Sequence, residues 1–99
     1  MLVHKERLSG TTSGGVLTLT TAKFSGVLLH LIYIKPATAT TTYDLAIEDP
    51  DGEQIYSELG VQGTFLREVR TPTFGTHKVK ITAASADEAF TGYLKVREN

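Results

Sequence analysis

Apolar and polar residues alternate along this chain over short stretches, the period of a half-buried β-strand. Residues 16–20 place Leu17 and Leu19 on one face and Val16, Thr18 and Thr20 on the other. Residues 43–48 send Tyr43, Leu45 and Ile47 inward and Asp44, Ala46 and Glu48 outward. In residues 76–83, His77, Val79 and Ile81 face the core, opposite Lys78, Lys80 and Thr82. Residues 90–97 set Phe90, Leu94 and Val96 against Thr91, Tyr93, Lys95 and Arg97. A weaker first strand over 2–8, a return strand over 53–59, a strand over 64–70 and a long strand over 27–35 complete the set. Short strands at regular spacing predict an all-β chain. The expected architecture is an antiparallel β-sandwich of about eight strands, jelly-roll or immunoglobulin-like, forming one domain over residues 1–99.

Turn residues punctuate this pattern. Residues 9–15 and 36–42 read as Ser/Thr/Gly and Thr/Ala loops. Asp49-Pro50-Asp51-Gly52 is a turn in which proline presets φ and glycine supplies a positive one. It makes residues 43–59 a hairpin. Residues 60–63 are expected to turn again, Pro72 and Gly75 to bound the 64–70 strand, and residues 84–89 to form a loop with room for one helical turn. The 27–35 strand is apolar on both faces, with Val27, Leu29, Leu31 and Tyr33 on one and Leu28, Ile32 and Ile34 on the other. Such a strand is expected to be central and covered on both sides, either by the second sheet and a loop or by a partner protein.

Composition agrees with strands: there are fifteen threonines, nine glycines and no tryptophan. With no cysteine, neither disulfides nor thiolate metal sites are available. A chain of 99 residues buries a small core, so a homo-oligomer or docking onto a larger assembly is expected. The formal net charge of −1, mixed along the chain, argues against nucleic acid as a partner. The longest apolar run is too short to span a bilayer, so no membrane partner is expected. The N-terminal residues hold no apolar segment of signal-peptide type, and synthesis in a cytoplasm is the expectation.

Candidate chemistry is sparse. Asp49, Asp51 and Glu53 open like a calcium loop, but its twelfth position falls on Gly60 rather than an acid. Turn chemistry accounts for them. His4, His30 and His77 have no partner at a ligand or catalytic spacing, and read as structural histidines. Gly10, Gly14 and Gly15 lack the Lys-Ser/Thr pair and helix of a phosphate loop. No catalytic, cofactor-binding or metal residue is predicted, and the chain is expected not to be an enzyme. If the last two strands pair, Lys78, Lys80, Lys95 and Arg97 form a basic stripe beside Tyr93. That stripe is either a solvated sheet face or a charge-complementary docking face for another protein.

Two families share this punctuation. Gly15-Val16-Leu17-Thr18-Leu19, then Phe24-Ser25-Gly26-Val27-Leu28-Leu29, then Thr40-Thr41-Thr42-Tyr43-Asp44-Leu45 and Asp51-Gly52 resemble a group of small tailed-bacteriophage virion proteins. The ending Gly92-Tyr93-Leu94-Lys95-Val96 fits as well. The resemblance implies a structural part of a virion: a capsid decoration or cement protein, or a neck or tail accessory, with capsid or other virion proteins as partners. Residues 43–52, with Gly75-Thr76-His77-Lys78-Val79-Lys80-Ile81 and the same ending, also resemble the bacterial pre-peptidase C-terminal domain. That likeness implies a carbohydrate- or protein-binding accessory sandwich of a secreted system.

Overall fold

The computed structural model describes residues 3–21 and 24–98. Its eight strands are β1 (Val3–Thr11), β2 (Leu17–Thr20), β3 (Phe24–Pro36), β4 (Thr42–Glu48), β5 (Gln54–Gln62), β6 (Phe65–Gly75), β7 (Lys78–Thr82) and β8 (Ala89–Glu98). They form two four-stranded sheets, ordered β1-β8-β3-β6 and β2-β7-β4-β5. The pairs β1·β8, β2·β7, β3·β6 and β4·β5 are all antiparallel. The first half of the chain thus runs back along the second as one long hairpin, and wrapping that hairpin adds β3·β8 and β4·β7. This is the order of an eight-stranded jelly roll. An immunoglobulin-type sandwich would group its strands ABED and CFG.

The alternating strands face as the pattern predicts. Tyr43, Leu45, Ile47, Val79, Ile81, Phe90, Leu94 and Val96 all join one core. Full burial of each large apolar side chain contributes about 1.5–3 kcal/mol. Tyr43 packs edge-on against Phe90, with ring centroids 5.1 Å apart. Its buried hydroxyl donates to the Gly63 carbonyl at 2.7 Å, and burial pushes its pKa up to about 12.

Strand 27–35 departs from the expected facing. Leu29 pairs with Val96 and Leu31 with Lys95, so His30 is an extra residue against β8. This bulge resets the alternation. Leu29, Ile32 and Ile34 therefore share the core, while Leu31 and Tyr33 turn outward. Leu28 pairs with outward Arg97 and lies outside the core cluster. The Val27 side chain lies outside the described residues, as does Leu2 of the first strand.

Several boundaries also move. β1 continues through Ser9, Gly10 and Thr11, because β8 offers Thr91, Phe90 and Ala89 as partners. Gly60 does not end β5: it sits at a bulge opposite Asp44, with φ 66°, and donates its N–H to the Asp44 carboxylate at 2.9 Å. β6 runs through Pro72, which an edge strand tolerates because one side of its backbone has no ladder to complete. Residues 84–89 hold no helical turn; Asp87 adopts a positive φ and its N–H donates to the Thr12 carbonyl.

The loops at each end are tied together. The Thr12 hydroxyl donates to the Ser85 carbonyl at 2.6 Å and accepts the Glu88 N–H at 2.8 Å. Gly63 donates its N–H to the Thr41 carbonyl beside the Tyr43 bond. At the opposite end, the Asp49 carboxylate accepts the N–H groups of Asp51 and Glu53, both at 2.9 Å, which is the turn role expected of it. Near it His77 is buried against Phe24, its backbone bonded to Thr21 and its Nδ1 without a hydrogen-bond partner among the described residues.

Two measurements test this packing. A Cβ at Gly92 would collide with the Tyr33 carbonyl of the neighbouring β3. Gly92→Ala is expected to cost several kcal/mol, at the large end of single substitutions, read as a fall in the urea midpoint. Desolvation lowers the His77 pKa, opposed by its hydrogen bond to the Gly75 backbone and by the Asp49 charge. The unfolded chain therefore takes up that proton first as pH falls, and stability drops below about pH 6.5, the ordinary histidine value. Thermal melts of wild type should weaken over this window more steeply than those of His77→Gln.

Candidate functional site

The outward face of the β1-β8-β3-β6 sheet gathers most of the chemistry this chain displays. Registers place its side chains in rows. One row runs Arg7, Tyr93, Tyr33, Leu66 and the next Lys5, Lys95, Leu31, Glu68. Arg97, Leu28 and Pro72 follow beyond the bulge, with Lys35 and Thr91 at the other end. Among the described residues this face carries six cations, Lys5, Arg7, Lys35, Arg70, Lys95 and Arg97, and one carboxylate, Glu68. None of the six forms an ion pair with another described residue.

At its centre Tyr33 and Tyr93 stand side by side on the two inner strands. Their rings stack at 5.0 Å with an interplanar angle of 25°. The Lys5 ammonium lies 4.5 Å from the Tyr93 ring centroid, a cation–π contact. The tyrosines and Leu31 are half-buried within the face, as are Lys95 and Arg97. The outward apolar residues of β3 thus receive cover from their own sheet. Two shallow grooves score this surface. One, of about 370 Å³, runs between Arg7, Ser9, Tyr33, Thr91 and Tyr93, with Gly92 in its floor. The other, of about 360 Å³, lies at the bulge between His30, Glu68, Val69, Arg70 and Arg97.

Sequence reasoning placed Tyr93, Lys95 and Arg97 on one face, and the structure keeps them together. It does not bring Lys78 and Lys80 to them, because β7 and β8 belong to different sheets. Those lysines lie on the outer face of the opposite sheet, where Lys80 pairs with Glu48 at 3.0 Å. Lys5, Arg7, Lys35 and Arg70 were missed. Their signal was present: Lys5 and Arg7 alternate as Lys95 and Arg97 do. Only the first-to-last pairing of a jelly roll sets them side by side.

The fold has known counterparts. No protein-family model matches the sequence, and none of the curated proteins does. Among solved structures, the VP2 subviral particle of infectious bursal disease virus is similar over 99% of this chain, with a TM-score of 0.51 and 14% identity. The likeness is one of fold. This chain spans about a third of the VP2 chain, 33% of its length. The Gx strain of the same virus gives a TM-score of 0.47 at 15% identity, over 96% of this chain and 31% of that one. A carbohydrate-binding module, CBM36, in complex with calcium and xylotriose gives 0.43 at 14% identity, over 90% of this chain and 78% of the module.

The tyrosine pair predicts a measurable coupling. A double-mutant cycle of Tyr33→Leu and Tyr93→Leu should return about 0.5–1.5 kcal/mol of interaction energy in urea unfolding, the range for aromatic pairs.

Proposed function

We propose that this chain is a non-enzymatic structural protein of a tailed-phage virion, a decoration or cement subunit that binds the surface of the particle. The observation that carries this reading is how the chain spends its polar groups. Thr12, Tyr43 and the Asp49 carboxylate hold loops in place, and the grooves are shallow features on a broad sheet face. Such a face suits burial against a flat protein surface. The likeness of fold to VP2 of a subviral particle supports it, as does the resemblance of the strand punctuation to small phage virion proteins. Decoration by such a subunit works through buried area and complementary charge, with no covalent step.

The test is the composition of purified particles. Mass spectrometry of virions whose genome encodes the chain should find it in many copies, and the purified protein should co-sediment with heads that lack it. Presence in isolated tails alone would move the role to a neck or tail accessory. Absence from particles, with no binding to heads, would overturn the reading.

A further inference from the structure

We infer that the outward face of the β1-β8-β3-β6 sheet is a docking surface for an acidic protein surface, gripped by cations around an apolar and aromatic centre. This deepens the virion reading and rests on it for the identity of the particle.

The first argument is charge. The whole chain is close to neutral at −1, yet six cations and one carboxylate share this face among the described residues. Among the acids whose side chains are described, the compensating ones lie elsewhere. Asp49, Asp51 and Glu53 sit at the hairpin end, Asp87 and Glu88 at the opposite end, and Glu48 pairs with Lys80 on the other sheet. Segregation of this kind creates a positive potential that a neutral net charge hides, and a complementary surface must be negative.

The second argument separates protein from nucleic acid. Leu66 and Phe74 are 59% and 73% exposed, and β6 presents both beside the cations on its outward side. Arginine, aromatic and apolar residues together are the composition of a protein interface. A single-strand nucleic-acid platform needs open ring faces for stacking. Here the Tyr93 ring already stacks with Tyr33 and holds the Lys5 ammonium 4.5 Å from its centroid. The third argument is size. The molecule measures 37 × 24 × 19 Å, so a face along its long axis covers about 700–900 Å², on the scale of the roughly 800 Å² per partner of a standard interface.

Two charge-reversal variants test the inference. Lys5→Glu with Arg70→Glu alters this face. Thr18→Glu, Ser57→Glu and Lys78→Glu together alter the opposite sheet and change the net charge equally. All five positions are exposed, and thermal melts confirm folding. On purified heads, the first variant should bind at least tenfold more weakly than wild type and the second within about twofold. Wild-type binding should weaken as salt rises. Equal binding by both variants would overturn the docking face and leave the virion reading standing.

If wild type does not bind heads, the head-decoration reading fails and immobilised poly-L-glutamate and duplex DNA decide the face. Retention on poly-L-glutamate above DNA, lost only in the first variant, supports an acidic protein partner. Stronger retention on DNA overturns it in favour of nucleic acid. Retention on neither overturns it outright.

Discussion

The bulge at His30 sets the phase of β3, and both the core and the candidate face depend on that phase. A strand has two faces and a period of two, so an uninterrupted β3 would send Leu29 to the same side as Leu31 and Tyr33. One extra residue against β8 lets Leu29, Ile32 and Ile34 reach the core together. The same step turns Tyr33 outward, directly opposite Tyr93. Without it, either the core would lose an aliphatic contact or the outer face would lose its aromatic centre.

β3 occupies an inner position between β8 and β6, so its phase is imposed on both neighbours. Against β8 the extra residue lies in β3; against β6, two residues of β6 oppose His30. The close approach at Gly92 holds the other half of β8 against Tyr33 and Ile34. Register is therefore pinned on both sides of the tyrosine pair. The cations ranged around that pair owe their arrangement to this register and not to their spacing in sequence.

Polar groups in the interior tie loops together. Thr12 joins the β1–β2 connection to the β7–β8 connection; the Gly63 N–H joins the β5–β6 connection to the Thr41 carbonyl of the β3–β4 connection, and Tyr43 of β4 donates to the Gly63 carbonyl. Each tie links segments far apart in the chain, so the loop end of the jelly roll is held by long-range hydrogen bonds.

The sequence by itself determined the strands and most of their facings. Tyr43, Leu45 and Ile47, or Val79 and Ile81, declare an inward face through local alternation, and Asp49-Pro50-Asp51-Gly52 declares its turn through local backbone preference. Those are properties of a few adjacent residues. Tertiary structure decided which strands are neighbours. It allowed Pro72 inside β6, since that strand is an edge. It carried β1 through Ser9 and Gly10, since β8 lay alongside. It separated Lys78 and Lys80 from Lys95 and Arg97, and brought Lys5 and Arg7 to Tyr93 instead. Pairing between strands is fixed by hydrogen bonds and packing across the whole chain, and no local pattern carries that information.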